Sequence, residues 1–584
     1  MQVRHRLLEP FGVFLALTVL LFARTWVAPT KAWIGQPGDP SMFMWHLQWV
    51  PYALSHGLNP LSTDHLNVPE GVNLMWNTGM PLAGFLLAPI TATVGPVFSY
   101  NVLMTLAVAL SGWCAYLMLT RYTASRRAAI LGGVLYGFSP YMAAHALAQP
   151  HLTTAFVPPL MFMVLDEILV RQRRSATRSG ALLGVLAAAQ LLLAEELLAT
   201  EMTVAILALL VLVALHPGQV LARERVAHAA QALGAALVVS VLLSLGPLLV
   251  QFFGSQRVHT GTALWGPGLF VSDLLSFVIP TEGQVLSPSW TKEITEKFSS
   301  ACCPAEQNSY LGFPLLLFAL VVTVRWWSKP IVRFAASLSA ILVVLSMGPN
   351  LHIGGTIAPV AMPFRVIAEL PVFGNILAVR FMLYVYLLMA ILIAVFVEVM
   401  RVAPRLHRAA AMMVLVAVLA PLIPQLRFPS TPAHIPKFFR SEAVRRIPVG
   451  SAALVAPLPR DTSTAEPMLW QAAAGMRFRM VGGYALGPDQ TGRFSFLPIP
   501  TELSILMEEI QRGAMPTLDE SKKQRLRAEL RAKEVDVILV GPMTNRQTMV
   551  ELFRSLLGKD GVELGGVHMW SVKAQEAESG DGLG

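Results

Sequence analysis

Apolar residues fall along most of this chain in long runs separated by short polar loops, the pattern of membrane-spanning helices. Eleven runs stand out: Phe11–Pro29, Asn101–Thr120, Ala128–Ala143, Thr153–Val170, Ala181–Ala194, Met202–Leu215, Ala229–Phe253, Ser309–Val324, Phe334–Met347, Phe381–Val397 and Ala409–Gln425. Several are shorter than the roughly 20 residues that cross a bilayer upright, so they must borrow flanking residues. A further stretch, Pro81–Val94, contains Pro81, Gly84 and Pro89 and reads as a re-entrant or interfacial piece. From Arg427 onward the chain is polar without a spanning run. There "SAALVAPLP" and "VDVILVGP" read as buried strands and "LDESKKQRLRAELRAKE" as a helix. The expected fold class is mainly α: a polytopic transmembrane bundle of about eleven spans over residues 1–426, then a small α/β domain over 427–573 and a disordered tail over 574–584.

The polar loops set the orientation. Basic clusters fall at every second connection: Arg4 and Arg6; Arg121, Arg126 and Arg127; Arg171, Arg173, Arg174 and Arg178; Arg223 and Arg225; Arg325, Lys329 and Arg333; Arg401, Arg405 and Arg408. Because basic loops stay on the cytoplasmic side, the N-terminus is expected in the cytoplasm and the intervening loops outside. Three outer loops are long: 30–100, 254–308 and 348–380. An odd number of spans puts the C-terminal domain outside the cytoplasmic membrane. The first run carries Arg24 and is followed by no A-x-A site, so it reads as an uncleaved first span.

Composition agrees: 54% of residues are hydrophobic and 14% charged, against roughly 25% charged in an average soluble domain. The net charge of +9 is largely that of the basic loops and implies no nucleic-acid partner. Three cysteines, Cys114 and the adjacent Cys302 and Cys303, make no disulfide framework. No H-E-x-x-H, Walker A loop, G-x-S-x-G elbow or Cys/His metal cluster occurs. The glycine run "GGVLYG" lies inside a span and reads as close helix packing.

Asp39 lies in "GQPGDPSMFMWHLQW" at the start of the first long outer loop. It reads either as the N-cap of a helix that Pro40 begins, with its own backbone pushed out of the helical region, or as a catalytic carboxylate at the membrane surface. Along that helix Met42, Trp45 and Trp49 share one side, suited to the headgroup layer, where Trp is enriched. His145, Gln149 and His151 follow the third span and either line a cavity or sit in a solvated loop. Glu195 and Glu196 stand at the outer end of the fifth span, with Glu201 just after, and charges near membrane depth face a cavity or a partner. Arg380 enters the tenth span from outside, as a clamp on a lipid-linked phosphate or as a snorkelling anchor. Glu306, Tyr310 and His352 are further candidates.

A cytoplasmic N-terminus, a first span, a long outer loop with an early Asp, many further spans and an outer C-terminal domain together resemble the GT-C superfamily. Those are integral membrane glycosyltransferases that use polyprenyl-phosphate sugars. The stretches "YGFSPYMAAHALAQPHLT", "EQNSYLGFPLLL" and "GNILAVRFMLY" look like those of bacterial members of this group. The resemblance implies a polyprenyl-phosphate sugar donor and a cell-envelope glycan, lipid or protein acceptor on the outer face. It gives Asp39 the role of the acid that serves transfer, as general base on the acceptor hydroxyl. Arg380, with His145, His151, Glu195, Glu196, Glu306 and Tyr310, would form the substrate-binding set. Many relatives carry paired acids in the first outer loop, whereas here Asp39 is followed by Pro40 and Ser41, with no acid until Asp64. That departure argues against a bound divalent metal, and no other cofactor is implied. Two rival readings belong to other classes: a transporter or flippase of lipid-linked glycan, which would show repeated halves and broken spans with charges near the midplane, and a non-catalytic envelope-assembly protein. Long loops and charges concentrated on one face favour the enzyme.

Overall fold

The computed structural model describes residues 2–259, 264–370, 373–515 and 517–572, so the tail expected to be disordered lies outside them. The protein is mainly helical, and seven of the described helices are long and apolar enough to cross a membrane. They are Pro96–Leu119, Pro150–Arg171, Ala176–Leu193, Glu195–Leu215, Arg223–Phe253, Ala378–Met400 and Arg405–Leu422. Shorter apolar helices occupy Leu8–Leu21, Pro81–Val94, Phe313–Arg325 and Pro330–Ser346. Short runs did borrow flanking residues, as the helix Glu195–Leu215 shows by starting seven residues before the run at Met202. The chain divides into two compact units.

The first unit comprises residues 1–28, 102–245 and 263–430. Its centre is the helix Met382–Met400, in which every residue from Met382 to Val395 is buried. A helix apolar on all sides belongs inside a bundle, and this one is packed all round. The glycine run supplies close approach on one side. A Cβ on Gly132 would stand 3.1 Å from the carbonyl oxygen of Ala390, and one on Gly133 would stand 2.6 Å from that of Gly112. Two helix backbones touch there because no side chain intervenes. Gly180 and Gly184 bring the helix Ala176–Leu193 onto Ala232 and Ala236 in the same way.

The second unit comprises residues 29–101, 246–262 and 431–584. Both stretches expected as strands are strands, Ala452–Ala456 and Val537–Val540, paired in parallel with Val537 opposite Ala453. Every residue of both is buried, as in a strand covered on its two faces. With Arg479–Met480, Val562–Leu564 and Val567–Ser571 they make a five-stranded sheet. The expected helix forms at Glu520–Ala532, with Asp519 capping it through the Lys522 amide.

The helix Pro40–Ser55 of the first loop packs in this unit against the helix Glu466–Ala473. That corrects the expectation of a headgroup layer: Met42, Trp45 and Trp49 are all buried in protein. Trp45 stacks on Trp49 at 5.6 Å, and its indole N–H donates to Oε1 of Gln471. The stripe is apolar because it faces this neighbour, which lies 426 residues away in the chain. Pro81–Val94 closes the other side, where a Cβ on Gly84 would meet Val50 at 2.6 Å.

Candidate functional site

Asp39 lies between Gly38 and Pro40 in the second unit. It holds the expected N-cap position with Pro40 opening the helix, but its backbone is helical, with φ −47° and ψ −35°, and its side chain makes no cap hydrogen bond. Gly38 makes the chain reversal instead, at φ +114°, a conformation open mainly to glycine. The helix starts from the Gly38 carbonyl, which accepts from the Ser41 amide at 3.1 Å. The Asp39 carbonyl accepts the next bond, from the Phe43 amide at 3.1 Å. The Oδ1 of Asp39 is buried, and the fully buried Tyr100 is close enough to feel its charge. The hydroxyls of Ser41 and Tyr100 are buried without hydrogen-bond partners. Asn101 pins the loop behind Asp39 by donating to the carbonyls of Pro29 and Ala32, at 2.8 Å each, and accepting from the Ile34 amide.

In the first unit, four of the residues singled out from the sequence come together around Arg380, which is 3% exposed. Its guanidinium takes Glu306 in a two-pronged pair, Nη1 to Oε2 at 2.5 Å and Nη2 to Oε1 at 2.9 Å. Its Nε donates to Glu196 at 3.1 Å. His145 stands with Nε2 3.2 Å from Nη1. Gln149 bridges the cluster, accepting from His145 Nδ1 at 2.7 Å and donating to Glu306 at 2.9 Å. Asn308 donates to His145 Nε2 at 2.9 Å.

These partners fix the protonation of the histidine. With Gln149 accepting at Nδ1 and two donors aimed at Nε2, His145 is neutral and carries its proton on Nδ1. Burial first, and then the Arg380 charge, hold its pKa well below the ordinary imidazole value. One arginine against two carboxylates leaves the cluster short of positive charge, so its parts are unequal. Glu306 is held by two bonds and is 2% exposed, whereas Glu196 holds by one and is 21% exposed. Glu196 is the partner that an incoming anion can displace.

Local structure explains the placement. The helix Ala176–Leu193 ends at an extended residue, Ala194, so Glu195 and Glu196 open the next helix rather than closing the previous one. Acids are favoured in a first turn. Glu196 is the one bonded to Arg380, and Glu195 is half-buried beside it. His151, buried, heads the helix Pro150–Thr153 within electrostatic reach of Arg380. Tyr310 contributes its carbonyl, which accepts from the Tyr386 hydroxyl. With Glu306, Asn308 and Ser309 it lines a small crevice of about 10 Å³. His352 is buried on the strand Asn350–Ile353. Asn308 was not singled out from the sequence: a neutral amide costs less to bury than a charge and so stands out less, and only its place two residues after Glu306 points to it. Among the described residues no group of three or more His, Cys, Asp or Glu is arranged to hold a metal.

Residues 11–420 match the family described as a domain of unknown function, DUF6311. The chain belongs to that family. No curated protein matches it in sequence. Among solved structures it is similar to the arabinofuranosyltransferase AftD from Mycobacteria, at 15% identity and a TM-score of 0.53, over 97% of this chain and 40% of that one. It is also similar to the Archaeoglobus fulgidus oligosaccharyltransferase in complex with zinc and sulfate, at 12% identity and a TM-score of 0.54, over 94% of this chain and 69% of that one. The DUF6311 chain thus has a GT-C fold, and it spans about two fifths of the length of the mycobacterial enzyme.

Proposed function

We propose that this protein is a membrane glycosyltransferase that moves a sugar from a polyprenyl-phosphate donor to an acceptor on the outer face of the cytoplasmic membrane. The observation that carries this reading is the GT-C fold, shared with the arabinofuranosyltransferase over 97% of the chain. The basic loops support a cytoplasmic N-terminus and an outer C-terminal domain over 427–573, and a glycan, lipid or protein of the envelope is the acceptor.

In the reaction Asp39 takes the proton of the acceptor hydroxyl as that oxygen attacks the anomeric carbon of the donor. The bond from that carbon to the phosphate oxygen breaks, and the polyprenyl phosphate leaves with the electron pair. The phosphate displaces Glu196 from Arg380, while Glu306 keeps the guanidinium in place. His145, His151, Glu195 and Tyr310 shape the surroundings of that phosphate. The purified protein in nanodiscs, given a panel of polyprenyl-phosphate pentoses and hexoses with an envelope extract as acceptor, is expected to release free polyprenyl phosphate with at least one donor. No release with any of them, from protein that stays folded, would count against transfer.

A further inference from the structure

The largest polar anomaly in the first unit is Glu201. It is 5% exposed, lies inside a helix fit to span a membrane, and neither carboxylate oxygen has a hydrogen-bond partner. A buried carboxyl group without a partner is costly and marks a site where something else supplies the donors. Glu201 lines a cavity of about 470 Å³ between four helical segments, within the roughly 300–1,000 Å³ of common small-molecule sites.

The walls define the occupant. On the helix Glu195–Leu215 the cavity is met by Glu201, Ala205, Ala208 and Leu212, a stripe at helical spacing in which two alanines leave the room. Phe162, Phe334, Leu338 and Leu387 complete an apolar wall. Near Glu201 the wall also holds Tyr384, whose hydroxyl is engaged with Thr200 and the Leu197 carbonyl, and further polar groups line the cavity at Tyr122, Asp166, Arg171, His216 and Gln219. At 1.5 Å per residue, the fifteen residues from Glu201 to His216 separate the two polar ends by roughly 22 Å. A long, narrow, apolar body fits this space. Two acceptor oxygens on one carboxylate call for at least two hydrogens from a single head, which a primary ammonium supplies and a hydroxyl does not. An ammonium would also pair with the ionised form of this acid.

We infer that this cavity is a binding site for a linear amphiphile whose primary ammonium group reaches Glu201. The site is independent of sugar transfer, and its test reads binding alone. Dodecylamine is titrated against the full-length protein in phosphatidylcholine nanodiscs and bound copies are counted by native mass spectrometry, with dodecyltrimethylammonium as a probe of equal charge that lacks N–H donors. One dodecylamine is expected to bind at least tenfold more tightly than dodecyltrimethylammonium. Glu201→Gln is expected to erase that preference, and Ala208→Trp, which fills the cavity, to remove the bound copy, with folding of each variant checked by its melting temperature without probe. Equal affinity for the two probes, a preference that survives Glu201→Gln, or no bound dodecylamine would overturn the proposal. Should Ala208→Trp fail to fold, the Glu201→Gln comparison decides alone.

Discussion

Arg380 holds Glu306 with two bonds and Glu196 with one, and this inequality gives the residue scale its predictions. Arg380→Lys keeps the charge but loses the planar fork, so the variant should insert normally and bind a polyprenyl-phosphate sugar several-fold more weakly, on the order of 1 kcal/mol. Glu196→Gln removes the competing carboxylate and should tighten donor binding, while Glu306→Gln, which frees the fork, should loosen it. Donor affinities in one nanodisc preparation check all three, and equal affinity throughout would reduce Arg380 to a structural anchor. A second residue carries a pH dependence. His46 is buried under Gly79, whose Cβ would meet its ring at 2.7 Å. Burial lowers its pKa from 6.5 to about 4. The fold therefore binds fewer protons than the unfolded chain between those values. Its stability is fully present above pH 6.5 and falls as pH drops toward 4, by up to about 3 kcal/mol. Melting followed by tryptophan fluorescence should show this slope, and His46→Phe should flatten it. Much of the Arg380 cluster was legible in the sequence, because charges near membrane depth are rare enough to be noticed one by one. Their meeting was not, since Arg380 lies 184 residues from Glu196 and 235 from His145.

At the scale of elements, the glycine run predicts its own sensitivity. Gly133→Ala places a Cβ 2.6 Å from the Gly112 carbonyl and 2.7 Å from Phe14, so helices must separate, at a cost of about 1–3 kcal/mol. Gly234→Ala meets nothing within 4 Å and should be neutral or slightly stabilising. Melting temperatures of the two variants in one detergent check the contrast, and equal values would contradict backbone contact between those helices. Strands and the long apolar helices were readable because an unbroken apolar run has few other uses, whereas the run Ala128–Ala143 is broken between the helices Arg126–Gly137 and Pro140–His145. The stripe of Met42, Trp45 and Trp49 was misread for a physical reason: a lipid headgroup and a distant protein helix ask for the same side chains, and only the buried bond to Gln471 tells them apart. The side-chain cap was also misread, because the sequence offers Asp39 as a good cap and does not say that its backbone is already helical after the turn at Gly38.

At the scale of the whole molecule, the sequence shows where helices are apolar but not which distant segments share a unit. Residues 29–101 and 431–584 fall in one compact unit although more than three hundred residues separate them. Orientation rests on the basic loops, and a reporter fused after Gly584 should be active only outside the cytoplasm, while one fused at Arg174 should be active only inside. Everything then converges on one carboxylate. Asp39→Asn preserves size and a side-chain oxygen and, since the Asp39 side chain makes no cap bond, leaves the helix start intact. Transfer of sugar from a polyprenyl-phosphate donor, measured side by side with the purified native protein and Asp39→Asn in nanodiscs of equal melting temperature, is the direct test. Loss of transfer by a factor of about 10² or more is the predicted result for a missing general base, and near-native transfer by the Asn variant would contradict a catalytic Asp39.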